Sequence, residues 1–256
     1  MTDDSPALGS SRVPLAILVI GFIVFVVVAY LYAVPLGARL VVMLVPASVD
    51  EAIGTVSFES MDGASVRPTH LSEAEQSRLR TAFEQAIHAA DGSSAVPVRL
   101  EFRSGDIGPN AFALPGGRIV LTDDLVSLVG GRQELVVGVL AHEYGHVRAR
   151  HGLRMVAQSA LLALGMSILF GDVTSMLAGA SRLLGEQAYS RDAEREADAE
   201  SVRIMKAAGI SPSVMVQFFD LLASKDLGSS RGPAIAFASH PADAERIAFF
   251  SRAASN

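Results

Sequence analysis

The sequence predicts an α+β fold, mostly helical with a small sheet, preceded by one membrane-spanning helix. Three observations carry that expectation. An uncharged apolar run fills Val13 to Val34. Two short alternating segments, Val96 to Phe102 and Gly117 to Thr122, read as strands. From Arg132 onward nearly everything reads as helix, and short strands followed by helices indicate an α+β domain.

The elements follow in order. Residues 1–12 are small and polar and are expected to be disordered. The run 13–34 would be about 33 Å long as a helix, enough to cross the hydrocarbon layer. Tyr30 and Tyr32 lie near one end, where interfacial aromatics are common. A cleaved signal peptide is the competing reading, but its apolar region would be unusually long and no clear A-x-A site follows. We therefore expect a retained signal anchor. Arg12 before the span and Arg39 after it leave the positive-inside count tied. Residues 35–50 form an apolar connector with Pro35, Pro46 and Arg39, and residues 51–250 form the main domain, with a tail at 251–256. Ser72 to Glu75 is a capping box opening a helix that ends near Gly92. Thr122 caps a short helix from Asp123 to Val129, which Gly130-Gly131 breaks. The apolar segment Met155 to Gly171, about 17 residues, is marginal for a membrane span and is expected as a buried helix or a membrane-dipping hairpin. Ser211-Pro212 is an N-cap and N1 pair.

The helix from Arg132 carries Leu135, Val136, Val139 and Leu140 on one stripe and runs into His142-Glu143-Tyr144-Gly145-His146. Histidines four apart on a helix lie about 40° from eclipsed, so both imidazoles can grip one metal ion. Glu143 stands where a carboxylate can take a proton from water. A third ligand is expected on a downstream helix. Glu194 and Asp198 share a stripe continuing through Ser201 to Met205, a face that can pack inward. Glu196 shares its stripe with Asp192, Glu200 and Arg203, a pattern typical of a solvated face. Glu194 is therefore the expected third metal ligand beside His142 and His146, and Asp198 the carboxylate orienting a ligating histidine. Two His and one Glu around a single Zn2+ suit peptide hydrolysis, with Glu143 as general base and then acid.

The His142–His146 motif, followed by Ser190-Arg191-x-x-Glu194-x-x-x-Asp198, resembles the membrane-associated gluzincin zinc metallopeptidases, the group of HtpX, BepA and the CAAX prenyl proteases. Asn110 to Gly117, the continuation of the metal helix from His146 to Arg150-His151-Gly152, and Ser239-His240-Pro241 with Arg246 and Ile247 extend the resemblance over about residues 50–250. It implies a zincin-type metallopeptidase domain. It also implies that Asn110 and Ala111 hold the substrate backbone, whereas a turn forced by Pro109-Asn110 and Pro115-Gly-Gly117 accounts for most of the segment. His240, the second candidate catalytic residue beside Glu143, is open to three readings. It starts a helix structurally, occupies the zinc's open position as a latch, or steadies an oxyanion. Arg246 is expected against substrate or a nearby carboxylate.

Composition limits the rest. Half of the residues are hydrophobic and the mean hydropathy is +0.37, high for a purely soluble protein. The absence of cysteine excludes disulfides and thiolate zinc sites. A net charge of −6 argues against nucleic acid as the main partner. The resemblance, with the single apolar span, implies a single-pass bacterial inner-membrane endopeptidase, catalytic domain outside, acting on misfolded or misassembled envelope proteins. A latched or idle protease working as a chaperone-like adaptor and a narrow-specificity processing protease are the alternatives.

Overall fold

A computed structural model describes residues 12–63, 65–170, 189–224, 240 and 244–255. The first element, α1 (Arg12–Val28), continues through a π-turn at Ala29–Ala33 into α2 (Val34–Leu44). The wide turn falls just before Pro35, whose missing N–H interrupts the i→i−4 ladder. Leu15–Leu44 is apolar and long enough to cross a membrane; an 18-residue stretch of it has mean hydropathy 2.9 and no buried residue, whereas Ala38 and Val42 in α2 are buried. The expected connector 35–50 is thus mostly helix: α2 extends the rod, and α3 (Ala47–Met61) starts after Pro46.

A four-stranded sheet of order β1-β2-β4-β3 forms the centre. Its strands are β1 (Arg67–Pro68), β2 (Arg99–Ser104), β3 (Ala111–Leu114) and β4 (Arg118–Thr122). β2 and β4 run parallel, pairing Arg99 with Arg118 and Arg103 with Thr122. β3 folds back antiparallel on β4, pairing Ala111 with Leu121, and forms one edge. The segment expected as a turn therefore contributes a strand, with the turn confined to Pro115–Gly117. Gly117, at φ 85°, brings its Cα so close to Pro97 that a Cβ would lie 2.4 Å from the carbonyl oxygen, so only glycine fits.

One sheet face buries Leu100, Phe102, Ile119 and Leu121 against α4 (Glu73–Asp91), α5 (Asp123–Leu128) and α6 (Gln133–Arg148). The other carries Phe112 and Val120 under Phe58 of α3. The predicted caps at Ser72 and Thr122 are present: Ser72 Oγ accepts from Glu75 N at 3.2 Å, and Thr122 Oγ1 from Leu125 N at 3.3 Å. Helices α7 (His151–Phe170), α8 (Arg191–Ala207), α9 (Ser213–Ser224) and α10 (Ala244–Ser255) complete the described chain. Ser211 Oγ accepts from Ser213 N at 3.3 Å at the start of α9.

The helix that carries His142 and His146 does not continue to Gly152 as expected. α6 stops at Arg148, Arg150 adopts φ 54°, and α7 begins at His151. α7 packs on α2, with Arg150 against the carbonyls of Val42 and Val45 and Leu161 against Gly37. The two helices are therefore antiparallel. Residue 171 of the expected 155–171 segment lies outside the described residues, as do Ser239 and Pro241.

Candidate active site

Two helices build the site. The central helix α6 is buried from Leu135 to His146, so both histidines of the motif point into protein. α8 crosses it where Gly138 and Gly145, two turns apart on one face, remove side chains. A Cβ on Gly145 would sit 2.8 Å from Ala197 Cα. Ser201 Oγ donates to the Gly138 carbonyl at 3.0 Å and ties the crossing. Ser190 caps α8 by accepting from Ala193 N, which places Glu194 in the first turn, near the positive end of the helix dipole.

These elements converge His142, His146 and Glu194. The two Nε2 atoms are 3.1 Å apart, and each lies 3.4 Å from a Glu194 carboxylate oxygen. His240 joins them, its Nδ1 2.8 Å from Glu194 Oε1 and 3.3 Å from His142 Nε2. One ligand atom from each of the four residues lies within 4.8 Å of the others. Glu143, fully buried, has its carboxylate 3.7 Å from His240 Nε2 and accepts the Ala113 amide of β3.

Asp198 Oδ1 lies 2.8 Å from His142 Nδ1, and Arg246 grips the same carboxylate through Nε at 2.8 Å and a terminal nitrogen at 2.7 Å. Arg246 also reaches Glu194 Oε2 at 3.0 Å, so it faces carboxylates, one of the two expected contacts. A carboxylate only accepts, so His142 Nδ1 carries a proton, which leaves Nε2 as the ring nitrogen that faces the cluster. Asn110 and Ala111 sit at the start of β3, where the Asn110 amide donates to Thr122 Oγ1 at 2.8 Å. Among the described residues neither hydrogen-bonds to the cluster, although their strand reaches Glu143 through Ala113.

Sequence reasoning passed over three residues. Tyr189 stacks on His146 with ring centroids 4.1 Å apart. His151 Nδ1 lies 2.9 Å from His146 Nδ1. Glu196, assigned to a solvated face, is half-exposed but bonds His151 Nε2 at 3.0 Å and Arg154 at 3.1 Å. Glu200 of that face is also engaged, holding Arg148 and Arg203. Only the spacing His146-x-x-x-x-His151 hinted at any of this, and it becomes a contact solely because the helix breaks at Arg150.

Electrostatics match a cation site. Burial opposes charge on His142, but the bonds to Asp198 and Glu194 outweigh it and push its pKa up to about 9. Burial holds His146 well below the usual imidazole range. Burial would raise the Glu194 carboxyl, yet His142, His146 and His240 together hold it far below the carboxylate range. Burial pushes Glu143 upward. Glu143 Oε2 and His240 Nε2 are buried without a hydrogen-bond partner. Converging orphaned donor atoms of nitrogen and carboxylate type fit a divalent metal and are costly otherwise.

A histidine pair one turn apart, a glutamate from a crossing helix and a second glutamate beside an edge strand define a zincin-type metallopeptidase domain. Residues 73–254 match peptidase family M48, and the chain belongs to that family. It is 36% identical over 146 residues to the metalloprotease YcaL of Escherichia coli strain K12, covering 54% of this chain and 55% of the relative. The mitochondrial metalloendopeptidase OMA1 of Schizosaccharomyces pombe is 32% identical over 149 residues, 56% of this chain and 42% of that protein. The beta-barrel assembly-enhancing protease of Escherichia coli strain K12 is 32% identical over 154 residues, 54% of this chain and 31% of that one. The chain thus spans about half or less of the length of these relatives.

Proposed function

We propose that the protein is a membrane-anchored zinc metalloendopeptidase that cleaves misfolded or misassembled envelope proteins. His142, His146 and Glu194 hold the metal, and Glu143 is the base. The observation that carries this reading is the buried, unpartnered Glu143 Oε2 beside a convergent His-His-Glu set and against edge strand β3. Zinc held by such a set polarises a carbonyl and makes water more acidic. Glu143 takes the proton of the attacking water and returns it to the leaving amine, a transfer helped by a carboxyl pushed upward by burial. β3 offers main-chain groups to an extended peptide, with Asn110 and Ala111 as candidate contacts. Asp198 keeps His142 oriented.

His240 completes the donor set from the fourth side, which favours the latch over the structural reading. A closed set of four donors is the arrangement of structural sites, so this histidine must leave for substrate to enter. The apolar helix Leu15–Leu44 supports anchoring in the bacterial inner membrane. A bacterial relative named for β-barrel assembly supports an envelope setting, and the proposed orientation puts the domain on the outer side.

The test is zinc content paired with casein cleavage, using the full chain in detergent and its Glu143→Gln variant. About one zinc per chain in both, with cleavage lost at least ~100-fold in the variant, is expected. An active variant refutes the base, and a folded chain without zinc refutes the ligand set.

A further inference from the structure

The two metal-facing histidines are backed differently. His142 leans directly on a carboxylate, Asp198, which Arg246 holds. Behind His146 stands another imidazole, His151, then Glu196 and Arg154. His151 is buried at 3% exposure, and its two ring nitrogens are both engaged.

The proton positions in this row follow from its end. Glu196 can only accept, so His151 Nε2 carries hydrogen and its Nδ1 is left as an acceptor. His146 Nδ1 must then donate to it, which leaves the His146 Nε2 lone pair facing Glu194 and His142. The row thus selects the one neutral tautomer of His146 that can bind a metal through Nε2.

Position 151 reaches this place only through the break in the helix. In a continuous helix, residues five apart are rotated by about 140°, so His151 would face away from His146. Arg150 at φ 54° turns the chain back, a conformation costing a non-glycine residue roughly 1–2 kcal/mol. That turn is held from outside the catalytic helices. The Arg150 guanidinium donates to the Val42 carbonyl at 2.7 Å and the Val45 carbonyl at 2.8 Å, and pairs with Asp50. These carbonyls belong to the last turn of α2 and the residue after it, the end of the apolar rod.

We propose that His151, set by the Arg150 turn and backed by Glu196, is the positioning residue that fixes His146 for the metal, and that the end of the membrane helix is thereby part of the site's frame. The inference rests on the zinc reading above. It implies that a domain cut at residue 50 loses the Val42 and Val45 carbonyls and binds metal poorly, although every ligand is retained.

Zinc dissociation constants, measured by chelator competition on the full chain in detergent, test it, together with melting curves of the zinc-free protein. His151→Ala should weaken zinc about 10–100-fold, the usual effect of removing a histidine's outer partner. The zinc-free melting temperature should stay within a few degrees. His151→Gln, whose carboxamide can accept from His146 and donate to Glu196, should recover most of the affinity. Should His151→Ala not fold, Glu196→Ala at a half-exposed position should still weaken zinc several-fold, as should Arg150→Ala. Wild-type zinc affinity in His151→Ala or Glu196→Ala overturns the proposal, as does a lowered zinc-free melting temperature with unchanged zinc affinity. Failure of the wild-type chain to bind zinc sinks the ligand set itself, a result distinct from variants that bind as well as wild type.

Discussion

Gly145 lies between the two histidines of the motif, at the contact of α6 and α8, and Gly145→Ala isolates what that contact does. The new Cβ would stand 2.8 Å from Ala197 Cα, 3.0 Å from Ala197 O and 3.2 Å from Glu200 Cβ. Carbon contacts are comfortable at about 3.5–4.0 Å, and two of these neighbours are backbone, so no rotamer change relieves them. α8 must retreat by roughly 0.5–1 Å. Glu194 lies one turn earlier on that helix and moves with it, away from His142 and His146. Overpacking of this kind costs about 1–3 kcal/mol, and better helix propensity returns about 0.5–1 kcal/mol. The net loss should lower the melting temperature by about 2–4 °C per kcal/mol. The functional loss should be larger, because a misplacement near 1 Å can cost on the order of 100-fold in rate. Gly165→Ala in α7 is the control, since nothing lies within 4 Å of a Cβ there. Melting curves, zinc affinity and casein cleavage are compared for both variants. Gly145→Ala with wild-type stability and zinc affinity would refute the claim that this close crossing places Glu194.

Three further outcomes are expected. His240→Ala should raise basal casein cleavage, since it opens the fourth side of the donor set; lowered cleavage would assign His240 to catalysis instead. Tyr144→Phe should destabilise by about 1–3 kcal/mol in denaturant titrations, because the buried hydroxyl donates to Asp91 Oδ2 at 2.8 Å and accepts from Val96 N at 2.9 Å; an unchanged midpoint would show that water replaces it. Burial would raise the Asp91 and Glu200 carboxyls, but Tyr144 and Arg203 on the first, and Arg203 and Arg148 on the second, hold them below the ordinary 3.8 and 4.5. Folded values below unfolded ones mean that this stability is complete above about pH 4.5 and is lost as pH falls through the folded values. Asp91→Asn should therefore flatten the decline between pH 5 and 3, and an identical slope would remove this network from acid unfolding.

Much of the site was legible because its parts are local. The spacing of His142 and His146 needs only helix periodicity, and Glu194 separates from Glu196 by the stripe each occupies. Caps at Ser72 and Thr122 are read from side chains within three residues of the amides they accept from. α3 was missed because it buries Gly54, Ser57 and Phe58 rather than a regular apolar stripe, covering an outer sheet face that only exists once the strands have paired. The reading of Glu196 as solvated was sound for an isolated helix; its carboxylate is still half-exposed, and it acquires a role only from a histidine on another element.

The sequence by itself determined the apolar helix, the helix carrying His142 and His146, and the residue types that converge on it, because each depends on short-range periodicity and residue chemistry. The tertiary structure alone decided how those donors are held. The approach of α8 at Gly145, the turn at Arg150 and its grip on the end of α2 join residues about 50 to 110 positions apart. A contact of that kind is set by close packing of finished elements, so no local pattern in the chain records it.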